Sequence, residues 1–319
     1  DSGWNPFGGG GLGTVINGNY RIDAGQTVLI TNSIIRANLD INGVDVNIYD
    51  SLLQKKDNDW LYGKNNYNIN GTNILLQGIT STNADGFFLT GHNVTVSNSS
   101  IYVMGGGGYY AASDLKIRAT GKAVVHSVTN RLMDIQAPEI DLDDVNMIPN
   151  AETSFILYLD DNSLRLSGSN VVVNALTSLT DRNSIQAYNL SVSNSTIGFN
   201  SLDGVDPAIF VTNFAFITNT SLLAVANDPY HLLGVGFDAQ KAVFADSTIT
   251  RTYRGAVDDW LVLGRQYIVW ENTAYTTNNE SVPSLVYVGS REGAFITNGV
   301  NVEDVLMNAP LNTVFAGYY

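Results

Sequence analysis

Val94-Thr95-Val96-Ser97-Asn98-Ser99-Ser100-Ile101 is the stretch whose reading decides the fold. Two runs of β-formers flank a single bend at Asn98, so it reads as strand, one-residue corner, strand. The phrase recurs around Asn32, Asp50, Asn194, Asn219, Asp246, Asn272 and Asn298, with weaker copies at Gly78 and Ser127 and with Asp144 and Asn174 filling the middle. From Asn194 onward the corners are 25, 27, 26 and 26 residues apart. Strand-like segments at such a period are the signature of a β-solenoid. The later copies parse as three short strands joined by polar turns: Ala208 to Thr212, Phe214 to Asn219, Thr220 to Val225. The chain therefore reads as all-β, a three-faced parallel β-helix of about eleven coils. Residues 1–13 form an N-terminal segment or cap, and 14–319 a single domain.

Alternation along each strand sends every second side chain inward. Val94, Val96 and Asn98 share a parity, which predicts an inward ladder of corner amides bonded from coil to coil. Trp270 shares its parity with Asn272 and is expected in the core. Several N-x-S/T triplets, such as Asn194-Ser195-Thr196 and Asn219-Thr220-Ser221, are by-products of the repeat; at inward corners they leave no room for a glycan.

On the first strand of each repeat the inward residues are Phe87 and Leu89, Leu115 and Ile117, Met133 and Ile135, Leu157 and Leu159, Ile185 and Ala187. Their outward partners include Phe88, Lys116, Arg118, Asp134, Gln136, Tyr158, Asp160, Gln186 and Tyr188, with Trp260 further along. Stacking aligns these into a strip of aromatics, amides and scattered charges, bordered by long loops carrying Trp60 and Tyr110. Sugars have apolar faces and polar rims, so such a strip suits a glycan lying along the helix axis. Lys116 and Arg118 share one strand and would serve a sulfate or carboxylate. The same residue types also decorate any exposed sheet face, and that reading stands beside the first.

With 319 residues, 44% hydrophobic and 14% charged, the chain is long enough for a large core. Its formal net charge of −14 argues against nucleic acid, which demands a basic footprint. No run of about 18 apolar residues occurs, so no membrane-spanning segment is expected. There is no cysteine for a disulfide or thiol site. The three histidines, His92, His126 and His231, fall on separate repeats, which predicts no metal site; no cofactor motif is found either.

Three strands per repeat with Asn at the bend between second and third resemble the right-handed β-helix superfamily of pectate lyases, polygalacturonases, phage tailspikes and bacterial surface passengers. The resemblance covers nearly the whole chain and implies a right-handed coil. Asn83-Ala84-Asp85-Gly86-Phe87 followed by His92-Asn93-Val94-Thr95-Val96-Ser97-Asn98 is similar to the polygalacturonase N-T-D-G segment and its next strand. Where that family continues with G-D-D, this chain has Gly105 to Gly108, and its later G-H-G and R-I-K signatures are missing. Asp85 alone does not supply the paired carboxylates of hydrolysis, so no catalytic residue is assigned. The expectation is an extracellular, surface-displayed adhesin, most like an autotransporter passenger. It would bind host glycans, glycosaminoglycans among them, or matrix proteins, and its acidity predicts a monomer. The alternative is a polysaccharide lyase or a tailspike-type hydrolase.

Overall fold

A computed structural model describes residues 14–54, 67–82, 87–102, 115–130, 132–147, 164–179, 183–200, 209–226, 237–253, 261–277, 286–290, 294–297, 300–301 and 314–318. These residues are all-β, without a helix. They belong to two compact units, Asp1–Ser163 and Leu164–Tyr319, each described by itself.

The first unit holds β1 (Thr14–Asp23), β2 (Val28–Thr31), β3 (Ser33–Asn42), β4 (Asp45–Tyr49), β5 (Leu52–Gln54), β6 (Tyr67–Gln77), β7 (Thr80–Thr82), β8 (Phe87–Tyr102), β9 (Leu115–Asn130), β10 (Met133–Gln136) and β11 (Glu139–Met147). Its described pairings are parallel, each strand lying beside the equivalent strand of the next repeat. Leu39, Tyr67, Phe87, Leu115 and Met133 therefore form one buried column, and Ile30, Ile48, Leu76, Val96, Val125 and Leu142 another. Tyr67 and Phe87 stack with ring centres 4.8 Å apart. Burial pushes the Tyr67 phenol well above its usual pKa.

The second unit holds β12 (Leu164–Ser178), β13 (Asn183–Ser193), β14 (Thr196–Asn200), β15 (Ile209–Thr218), β16 (Ser221–Ala226), β17 (Phe237–Ala245), β18 (Thr248–Tyr253), β19 (Leu261–Glu271), β20 (Ala274–Thr277), β21 (Val286–Ser290), β22 (Ala294–Thr297), β23 (Val300–Asn301) and β24 (Val314–Tyr318). Parallel pairing again joins one repeat to the next, and only β22–β23 runs antiparallel among the described pairs. Val173, Val192, Ile217, Phe244 and Trp270 form a core column. Trp270 is buried as its parity predicts, and its indole N–H donates to the Thr273 carbonyl at 2.7 Å.

The corners correct the parity argument. Asn32, Asp50, Asn98, Asn194, Asn219, Asp246 and Asn272 all have φ between 44° and 50°, the left-handed region that Asn tolerates. Ser127, Asp144 and Gly78 share it, and in the repeat of Asn174 the bend falls one residue later, at Ala175. A left-handed residue breaks the alternation, so these Asn and Asp side chains point outward and are exposed. Their ladder exists, but on the outside: Asn194 donates to Asn174 Oδ1 at 2.8 Å and Asn219 to Asn194 Oδ1 at 2.7 Å. Asn194 and Asn219, which open two of the N-x-S/T triplets, are therefore exposed and not enclosed at an inward corner.

The inward corner position belongs to the next residue. Ser33, Ser51, Ser99, Ser195, Thr220 and Ser247 are all buried. Each hydroxyl donates to the carbonyl two residues back, as Ser99 does to Ser97 at 2.7 Å and Ser195 to Ser193 at 2.6 Å. The same oxygen accepts a main-chain N–H from the repeat before: Ser33 N–H to Ser51 Oγ, Ile79 to Ser99, Leu176 to Ser195, Thr220 to Ser247, at 3.0–3.2 Å. A buried N–H freed by the corner thus finds its acceptor in a side chain.

Candidate functional site

In the first unit the outward face of the first strands is set row by row by the pairing register. Asp40, Asn68, Phe88, Lys116 and Asp134 stand in one row, and Asp23, Asn42, Asn70, Thr90, Arg118 and Gln136 in the next. The structure therefore brings together five sequence-predicted residues: Phe88, Lys116, Arg118, Asp134 and Gln136. Lys116 Nζ lies 5.5 Å from the centre of the Phe88 ring, a cation–π distance. Arg118 grips Asp134 through both carboxylate oxygens, at 3.1 and 2.5 Å, and also reaches the carbonyls of Ile117 and Asp134. The two side chains are 27% and 17% exposed. Both cations are thus engaged inside the face, a weaker offer to an anionic ligand than the sequence implied. Gln136 is exposed and faces outward.

The ends of these strands carry amide ladders. Asn42 donates to Asp23 at 2.7 Å and Asn70 to Asn42 at 2.9 Å; Asn68 donates to Asp40 at 2.8 Å. Around the turn, Asn73 donates to Asp45 and Asn93 to Asn73. Each ladder donates toward the earlier repeat and terminates on an Asp, whose charge strengthens the bond it accepts. The hydrogen bond from Asn42, and then Arg21, hold the Asp23 carboxyl below its ordinary range.

Between the first and second strands the chain turns through glycines. Gly43, Gly71 and Gly91 follow one another from repeat to repeat and leave an open groove of about 670 Å³. One ridge is the row of Asn42, Asn70 and Thr90; the other is Val44, Thr72, His92 and Thr120. A Cβ on Gly91 would come within 2.8 Å of the Gly71 carbonyl oxygen, so the sharp turn itself demands glycine there.

In the second unit Gln186 and Tyr188 face outward as expected, with Tyr188 54% exposed. Gln186 stands in a row with Phe210 and Asp238. An amide ladder runs beside them, Asn189 donating to Asn170 and Asn213 to Asn189. On the second-strand face Val172 and Phe216 are exposed, which the first-strand argument passed over. Trp60, Tyr110, Tyr158, Asp160 and Trp260 lie outside the described residues, as do Asp85, His231 and residues 1–13.

Two further ion pairs join neighbouring repeats of the first unit. His126 meets Asp143 at 2.9 Å and Lys122 meets Asp141 at 3.1 Å. Among the described residues no three His, Asp or Glu side chains cluster to hold a metal. No helix among them is long and apolar enough to cross a membrane.

No protein-family model, curated protein or solved structure matches the chain.

The sequence reading missed the glycine groove and the buried corner hydroxyls. Both had a signal. Ser or Thr follows the corner residue at positions 33, 51, 99, 195, 220, 247 and 273, and glycine recurs just after the first strand at 43, 71 and 91.

Proposed function

We propose that the chain is a surface-displayed, secreted adhesin whose first-strand face binds host glycans or matrix proteins. We further propose that its parallel ladders wind as a right-handed three-faced β-helix of the pectate lyase-like superfamily, most like autotransporter passengers. The parallel register supports both readings. It is the order expected when equivalent strands of successive repeats stack, and it lines the same outward positions into continuous rows. The observation that carries the functional reading is the composition of those rows. In the first unit Phe88 offers an apolar platform, with the amides of Asn68 in its own row and Gln136 in the next; in the second unit Gln186 stands in a row with Phe210, and Tyr188 is exposed two residues along the same strand. That combination matches the apolar faces and hydroxyl rims of a sugar chain.

The test is a panel of neutral and sulfated glycans and matrix proteins, read for binding to the parent chain and to Tyr188→Ala. Binding that falls about tenfold in the variant, the equivalent of about 1.4 kcal/mol, is the expected result. No retention of any glycan or matrix protein would overturn the reading. Release of unsaturated or reducing ends from the panel would assign the chain to polysaccharide degradation instead.

A further inference from the structure

We propose that the glycine groove of the first unit is a binding site for a neutral oligosaccharide, with one sugar unit per repeat. The inference rests on the glycan-binding reading above and adds to it a location off the first-strand face and a ligand charge. The groove is built by periodicity. Strands of neighbouring repeats lie about 4.8 Å apart, close to the length of one pyranose, so a sugar chain along the groove meets equivalent groups at each step.

Those groups are unspent. Asn42 and Asn70 each use one amide hydrogen on the preceding repeat and keep a second for a ligand. Among the described residues the Asn70 side-chain carbonyl and the Thr90 hydroxyl have no protein partner. Donors and acceptors thus alternate along one ridge at the spacing that a row of sugar hydroxyls requires. On the opposite ridge Val44 is 44% exposed and gives a C–H face something apolar to lie on. Thr72 and the hydrogen-bonded pair His92–Thr120, 3.0 Å apart, continue that ridge.

Charge selects the ligand. Among the described residues no Lys or Arg lines the groove, and the one carboxylate is Asp23, whose hydrogen bonds from Asn42 and Arg21 favour its charged form. With a net charge of −14 behind it, the groove repels sulfated or uronic chains. Arg21, the cation nearest the groove, is paired with Asp23 at 2.8 Å, and Arg118 and Lys116 of the same face are held by Asp134 and Phe88.

The experiment titrates cellohexaose, xylohexaose and mannohexaose, with a heparin hexasaccharide as the anionic comparison, into the full chain and three variants. Asn70→Ala/Thr90→Val removes the free acceptor and hydroxyl. Thr72→Trp fills the groove from an exposed ridge position and leaves the ladder intact, which covers the case of a misfolded double variant. Phe88→Ala/Gln136→Ala alters the first-strand face alone. The expected result is binding of at least one neutral hexasaccharide, weakened tenfold or more by each of the first two variants. Neutral-glycan binding that ignores the groove variants but falls in Phe88→Ala/Gln136→Ala overturns the groove and leaves the broader reading standing. Binding of heparin alone does the same. Binding of none of these, nor of any member of the wider panel, overturns both.

Discussion

Ser99→Ala tests how the corners are held. Ser99 is 5% exposed, donates to the Ser97 carbonyl at 2.7 Å and accepts the Ile79 N–H at 3.0 Å. Alanine removes both bonds. The Ser97 carbonyl keeps a second donor, the Gly78 N–H at 3.1 Å, so little is lost there. The Ile79 N–H is left buried without its acceptor, at a cost of about 1–3 kcal/mol. Adding about 0.5–1 kcal/mol for the donated bond gives about 1.5–4 kcal/mol in all. The neighbouring corner behaves oppositely. Asn98 is exposed at φ 47°, so Asn98→Gly shifts stability by less than about 0.5 kcal/mol, while Asn98→Ala costs about 1–2 kcal/mol through backbone strain. Guanidinium unfolding followed by circular dichroism reads the totals. Amide hydrogen exchange at Ile79 reads the local event, and is the safer observable in a repeat protein whose unfolding need not be two-state. A neutral Ser99→Ala with Ile79 still protected would refute the assignment of its N–H to the hydroxyl.

Other perturbations have equally definite outcomes. Arg118→Ala leaves the Asp134 carboxylate half-buried beside vacated space and lowers stability by about 1–3 kcal/mol; the Arg118→Ala/Asp134→Asn double variant recovers part of that loss, and a double-mutant cycle without coupling would contradict the bidentate pair. Gly91→Ala drives a methyl into the Gly71 carbonyl and costs about 1–3 kcal/mol, whereas Gly25→Ala meets nothing within 4 Å and is tolerated, as thermal unfolding will report. Asp23 has a folded pKa below its ordinary value of 3.8, so its contribution to stability is complete above that value and is lost as pH falls through the depressed one. Asp23→Asn therefore flattens the stability–pH profile only below about pH 4; a changed slope near neutrality would point to another group.

The period and the alternation were legible because both are one-dimensional. Phe87, Leu89, Leu115 and Ile117 are buried, and Phe88, Lys116 and Arg118 face out, because alternation holds without interruption along a first strand. It fails at the corner, where one left-handed residue consumes a position without changing face. Asn98 therefore points out and Ser99 in, and no parity count that ignores φ distinguishes them. The pairing of Arg118 with Asp134 was hidden for another reason. It joins residues sixteen apart on adjacent repeats, two residues off the direct register, and only the strand alignment places them side by side. The groove was hidden because it forms where the chain turns at Gly43, Gly71 and Gly91, and a search for functional groups does not count glycines.

The most direct test of the account is a hydrogen-exchange and chemical-shift map of the full chain with a glycan identified from the panel at saturation. The expected perturbations lie along the first strands of the first unit and their turns, at Asn68–Thr72, Phe88–His92, Lys116–Thr120 and Asp134–Gln136. Perturbations confined to the second-strand face, at Thr95, Val124, Val172 and Phe216, would contradict it.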